Sequence, residues 1–225
     1  MKLAVLTPSA QGLVNMAFCV SLTDTMRRIQ KTEAVFMTVV GVSILHMARN
    51  TLIARALAWG ADRVVMLDDD VSWAPDDFQK LVLHPEPIVG GVYQKKVPDM
   101  RGALSFAVSA LPTGFQADHR GLVEVHGAAT GFLRVDRAVF EAIKPLVPKL
   151  HDDALSAEEN AHLHLWCDFP VVQQPKGLMV QGEDYSFCQK ARAAGYRIWI
   201  DPSIRLGHHI GGFKFDAALP ALSLL

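Results

Sequence analysis

The residues with the clearest chemical signature are Asp68, Asp69 and Asp70, three consecutive carboxylates that follow the apolar run Arg63-Val64-Val65-Met66-Leu67. The run reads as a buried strand, and carboxylates crowded at its C-terminal end call for a cation to offset their repulsion. In an extended segment side chains alternate, so Asp68 and Asp70 are expected on one face and Asp69 on the other. Two convergent hard oxygen ligands suit Mg²⁺ or Mn²⁺, which keep positions open for water and phosphate oxygens. Helix capping is the competing assignment. Ser72, Pro75, Asp76 and Asp77 already supply a polar entry, a first-turn proline and first-turn acids, which leaves Asp68 and Asp70 surplus to it.

A second acidic pair, Glu183-Asp184, follows Gly182 at the start of a helical pattern through Tyr185, Cys188, Ala191 and Arg192 that Gly195 closes. Taken alone it is accounted for by capping, since Asp is a favoured N-cap and acids complement the positive end of the dipole. After it come a strand pattern over Tyr196–Ile200, a turn at Asp201-Pro202 and a segment ending in His208-His209. A further pair, His162 and His164, offers metal-ligand chemistry, although two exposed loop histidines explain it more simply. Acids at a strand end, acids at a later helix start and a histidine after the last strand together make the parts of a metal-dependent transferase site.

The elements that must position these groups alternate in type. Leu3 to Leu6 reads as a strand stopped by Thr7-Pro8, and Val14 to Ile29 as a helix closing on Arg27-Arg28. Ala34 to Val42 is β-branched-rich and nearly all apolar, as in a strand covered on both faces, and Leu45 to Trp59 has helical spacing up to Gly60. Val64–Leu67, a helix over Pro75–Leu83 and a strand over Pro87–Tyr93 follow, leading to Gln94-Lys95-Lys96. This alternation predicts an α/β fold with a mostly parallel central sheet. Farther on, Leu104–Val108 and Leu122–His126 read as a meander around Pro112-Thr113-Gly114. The stretch Gly127–Val135 and a helix over Arg137–Ile143 follow, ended by Pro145 and Pro148. Lys149 to Val180 reads as a polar, aperiodic functional loop or lid on the acceptor side.

With 225 residues, half of them hydrophobic, the chain can bury one substantial core and is expected to form a single domain. Its formal net charge of −1 and lack of a Lys/Arg run give no electrostatic footprint for nucleic acid or an anionic membrane. Cys19, Cys167 and Cys188 are odd in number and widely spaced, which indicates neither a disulfide framework nor a structural zinc site. The N-terminal apolar run is too short for a signal peptide, and no run approaches the ~20 residues of a membrane span. A soluble, cytoplasmic protein is expected.

The order of these motifs resembles the GT-A-type glycosyltransferases, specifically compact bacterial and phage-type members related to family 2. The resemblance covers nearly the whole chain. It is carried by Ala48-Arg49-Asn50, by Leu67-Asp68-Asp69-Asp70 as a D-x-D motif, by Gly90 to Lys96, by Gly127 to Val135, by Gly182-Glu183-Asp184 with Phe187-Cys188, and by Trp199 to His208. It implies a single GT-A (Rossmann-like) domain with a small antiparallel extension, residues 1–100 forming a nucleotide-binding half and 101–225 an acceptor-binding half. It further implies inverting transfer of a sugar from a UDP- or GDP-sugar to a carbohydrate or other hydroxyl acceptor. Asp70, Asp68 and His208 would hold Mn²⁺ or Mg²⁺, and Thr7, Pro8, Arg49, Asp68, Asp69 and Lys95 would lie along the nucleotide-sugar. Asp184 would be the base that deprotonates the acceptor, with Glu183 as its neighbour.

Two departures bear on this. The middle position of the D-x-D motif is Asp69 where a small residue is common, so which two of the three acids take the metal stays open. Val42-Ser43-Ile44 lacks the acidic residue that often reads uracil in relatives, so the nucleobase is not indicated. Three other functions fit part of the sequence. Asp68 to Ser72 echoes the nucleophile loop of haloacid-dehalogenase-type phosphatases, although that loop normally follows the first strand. A sugar-nucleotide nucleotidyltransferase would want a glycine-rich, basic first loop, and Thr7 to Gly12 is neither. A non-catalytic nucleotide-sugar-binding module is the third.

Overall fold

A computed structural model describes residues 1–29, 32–96, 105–175, 177–210 and 213–215. In chain order the elements are β1 (Lys2–Ser9), α1 (Met16–Arg28), β2 (Glu33–Val40), α2 (Leu45–Ala58), β3 (Arg63–Leu67), β4 (Val71–Trp73), α3 (Pro75–Leu83) and β5 (Ile88–Gly90). Then follow β6 (Val108–Ser109), β7 (Val123–Val125), β8 (Gly127–Ala128), β9 (Phe132–Asp136), α4 (Arg137–Ile143), α5 (Ala157–His162), β10 (Val171–Gln174) and β11 (Gly177–Val180). The chain continues through α6 (Glu183–Ala193), β12 (Ile198–Ile200), β13 (Leu206–Ile210) and β14 (Phe213–Phe215).

The fold is α/β, built on a seven-stranded sheet of order β2-β1-β3-β9-β5-β12-β7. Five strands run one way, but β9 and β7 run against them, so three of the six junctions are antiparallel. The sheet is therefore mixed, not uniformly parallel. Alternation along the strands feeds two cores. Ala4, Leu6, Val64 and Met66 face one side with Leu52, Phe140 and Phe187 from α2, α4 and α6. Leu3, Val5, Val65 and Leu67 face the other with Phe18 and Phe78 from α1 and α3. Helices on both faces are why the inner strands are mostly apolar, with Thr7 of β1 and Arg134 of β9 among the buried polar exceptions. Among the described residues no helix is long and apolar enough to cross a membrane.

Several expectations need correction. β2 is an edge strand with half-exposed residues, not a strand covered on both faces. The expected meander is not a hairpin: β6 pairs with β8, whereas β7 joins the main sheet beside β12, and Leu104 lies outside the described residues. Ser72 belongs to β4 and does not cap α3, whose N-cap is Ala74 with Pro75 in the first turn. Lys149 to Val180 is not aperiodic. It contains α5, started by a reciprocal capping box between Ser156 and Glu159, and the β10–β11 hairpin.

Candidate active site

The acidic groups meet at one edge of the sheet, where β1 and β3 end and where β9, running the other way, begins. This is the edge at which open α/β sheets bind ligands. Pro8, Leu45, Arg49, Asp68, Asp69, Asp70, Thr130, Glu183 and Asp184 line a cleft of about 380 Å³ there. Asp68 to Asp70 do not continue the strand. They form a turn in which Val71 N–H bonds Asp68 O at 3.3 Å, so extended alternation does not apply and all three carboxylates border the cleft.

Asp68 is held by two donors. Arg49 Nη2 donates to its Oδ1 at 2.7 Å, and the Tyr93 hydroxyl donates to its Oδ2 at 3.2 Å. Burial and the Asp68 charge push the Tyr93 phenol well above its ordinary range, so it stays a donor. Gly131 makes this packing possible, because a Cβ there would collide with Tyr93 Oη and Asp68 Oδ2.

Asp70 has different neighbours. One carboxylate oxygen pairs with Lys96 Nζ. The other, Oδ1, is buried without a hydrogen-bond partner, and His208 Nε2 stands 3.5 Å from it. His208 comes from β13, which pairs with β4 just after the acidic turn, and His209 N–H bonds Asp70 O at 2.9 Å. The Nδ1 atom of His208 lies 2.7 Å from Gln94 O. A carbonyl only accepts, so Nδ1 carries the proton and Nε2 faces the Asp70 oxygen either with a lone pair or with a second proton. Burial pushes the Asp70 carboxyl up, but contacts with His208 and Lys96 outweigh it and hold the group below its ordinary value. Asp69 moves the other way, pushed up by burial and, against a contact with Ser9, by its two acidic neighbours.

Across the cleft Glu183 and Asp184 begin α6. Its N-cap is Gly182, with no side-chain capping bond, so neither acid is the cap. The Asp184 carboxylate instead folds back to accept from Tyr185 N–H at 2.7 Å, over a glycine whose Cβ would crowd it at 2.8 Å. Burial, then the adjacent Glu183 charge, push the Asp184 carboxyl up to about 6. Glu183 accepts from Arg49 Nε at 3.3 Å. Arg49 is 4% exposed, and although burial works against its charge, Asp68 and Glu183 more than offset that.

The remaining sequence candidates scatter. Lys96, not the exposed Lys95, reaches Asp70, and Lys95 contributes a backbone N–H to Ser105 O at 2.7 Å. Pro8 lines the cleft, while Thr7 is buried with its hydroxyl unpartnered. His162 and His164 are not an exposed loop pair, since His162 ends α5 and His164 is buried against Trp166 at 5.0 Å. Sequence reading missed Tyr93 and Thr130, and it offered Lys95 or Lys96 without deciding between them. Lys96 at least carried a charge beside a strand end, whereas a lone Thr or Tyr gives no signal before the fold brings it to the turn. Among the described residues no group of three or more His, Cys, Asp or Glu side chains is arranged to hold a metal. No known protein-family model matches the chain, and no curated protein sequence does.

Proposed function

We propose that this chain is a divalent-metal-dependent glycosyltransferase with a GT-A-type fold, moving a sugar from a nucleoside-diphosphate sugar to a hydroxyl acceptor with inversion. The observation that carries this reading is the unpartnered, buried Asp70 Oδ1 facing His208 Nε2 on one wall of a cleft whose opposite wall presents Asp184. Asp70 and His208 fit a hard cation that takes few protein ligands and completes its shell with water and phosphate oxygens. The Nδ1 contact to Gln94 O fixes the His208 tautomer, as an outer partner of a metal-bound histidine does. Asp68, already holding two donors, would leave the direct ligation to Asp70 and His208.

When bound, the cation would stabilise the negative charge that builds on the departing nucleoside diphosphate. Lys96 adds positive charge on the same side. Asp184, with its carboxyl near 6, is ionised at neutral pH yet basic enough to take the acceptor's proton as the oxygen attacks the anomeric carbon from the opposite face. Two separate acidic groups, one for the leaving group and one for the acceptor, are what such a displacement requires.

The test is calorimetric titration of UDP and GDP with Mn²⁺ and with EDTA, followed by product analysis with a panel of nucleotide sugars. Metal-dependent binding and release of nucleoside diphosphate are expected. Asp70→Asn should remove most of the metal-linked affinity. Equal binding with EDTA, or none for any nucleotide, sinks the metal site. Release of free phosphate or of pyrophosphate would instead identify a phosphatase or a nucleotidyltransferase.

A further inference from the structure

Glu183 takes no part in the chemistry set out above, yet it is buried, at 7% exposure, beside the proposed base. A carboxylate that deep needs a partner. Its partner is Arg49, whose Nε serves Glu183 while Nη2 serves Asp68, so one guanidinium spans the two walls of the cleft. We propose that Arg49 and Glu183 are positioning residues that hold the start of α6, and with it Asp184, in fixed register with the donor-side carboxylate Asp68. What they position is the base of the transferase reading, on which this inference rests.

The geometry suits that task. A guanidinium is a rigid planar fork, so two carboxylates bonded to different nitrogens are held at a set distance and angle, which an ammonium group cannot do. The bridge is also not the fastening that keeps α2 and α6 together. Asn50, the next residue on α2, donates to Cys167 O at 2.9 Å and accepts from Cys167 N–H at 2.8 Å. Asp168 in turn pairs with Lys190 at 2.7 Å and accepts from the Ser186 hydroxyl, both on α6. With the helices tied through residues 167 and 168, the Arg49–Glu183 contact acts locally, at the cleft.

Charge gives the bridge a second signature. The groups facing Asp184 are Glu183 beside it on α6, Arg49 from α2, Asp68 from the turn after β3, and the phenols of Tyr93 and Tyr185. Glu183 raises the Asp184 carboxyl and Arg49 lowers it. Glu183→Gln keeps an acceptor for Arg49 Nε–H but removes the charge, whereas Arg49→Lys keeps a charge but loses the fork.

The experiment follows Asp184 by carboxyl ¹³C NMR across pH in the substrate-free protein, for the wild type and both variants. It is joined to kcat, KM and Mn²⁺–UDP affinity, with thermal melts to register folding. In Glu183→Gln the Asp184 titration should move to lower pH. There kcat should fall on the order of tenfold while nucleotide affinity stays within about threefold. In Arg49→Lys kcat should fall on the order of 10²-fold, as for a base displaced by about an ångström, and nucleotide affinity should weaken too. An unmoved titration in Glu183→Gln overturns the inference, as does a Glu183→Gln protein that is inactive while Asp184→Asn still turns over, which would make Glu183 the base. If the wild type binds no nucleotide, the transferase reading fails, and the substrate-free titration still decides the bridge.

Discussion

The role proposed for Asp184 comes at a cost to the fold, and the two can be separated by pH. Its carboxyl rises from an ordinary 3.8 to about 6 on folding. Between those values the folded state binds the proton more tightly than the unfolded chain, so stability falls as pH rises through that window and stays lower above it. The size is on the order of 3 kcal/mol at most. Asp184→Asn should therefore melt higher than the wild type at pH 8, by a margin that disappears near pH 4. A helix cap would behave oppositely, and a lower melting temperature at pH 8 would count against the assignment. The same substitution should cut transfer by on the order of 10²–10⁴-fold while leaving Mn²⁺–UDP binding nearly intact. In the wild type, kcat/KM should climb as pH passes through about 6, because the proposed base works deprotonated. A flat profile there would move the base elsewhere. At this scale the acids were legible because three carboxylates after an apolar run exceed what capping needs. The choice between Lys95 and Lys96 was not, because it depends on which way the chain turns after Tyr93.

Elements were legible where a local signal agreed with the tertiary environment. α3 and α4 fall where the periodicity put them, and β3 runs from Arg63 to Leu67 as read. The failures have physical causes. β2 looks like an interior strand because Val35 and Met37 pack partly on one core and Ala34 and Phe36 partly on the other, while its outer edge, invisible to periodicity, pairs with nothing among the described residues. The Lys149 to Val180 stretch looked structureless because α5 is short, although Ser156 and Glu159 already spelled a capping box. That stretch divides in two. Residues 163–168 form a strut buried around Trp166 and Cys167, whereas Val171, Leu178 and Val180 on the hairpin are exposed. Asn50→Ala would leave both the Cys167 N–H and its carbonyl without their partner, a cost of about 2–6 kcal/mol from groups worth roughly 1–3 kcal/mol each. Hydrogen exchange should find the Cys167 amide strongly protected in the wild type and the β10–β11 amides far less so. Uniformly fast exchange across 149–180 would restore the picture of one mobile lid.

At the scale of the whole molecule the order of the strands is what sequence reading could not supply. Residues 1–100 and 101–225 divide neither the candidate site, where His208 of the second half faces Asp70 of the first, nor the sheet. β9 is inserted between β3 and β5, bonding β3 from Arg63 to Leu67 on one side and β5 from Ile88 to Gly90 on the other. β12 then covers the far edge of β5. No local pattern announces this, since a strand of the second half placed between two of the first has the same composition wherever it pairs. The consequence for the site is direct. Asp68 N–H bonds Gly131 O at 3.0 Å, so the acidic turn is fastened to the chain just before β9 and takes its shape from the other half. Residues 1–100 alone would leave β3 with one open edge and β5 with two, along with the apolar faces that Phe132, Leu133 and Val135 cover. Unpaired buried backbone of that extent is incompatible with a stable sheet. A fragment of residues 1–100 is therefore expected to lack cooperative thermal unfolding and to bind no nucleotide with Mn²⁺, and the full chain to melt in one transition. A fragment that melts cooperatively and binds UDP would show that the donor half folds by itself, and that β9 merely docks on a sheet already formed.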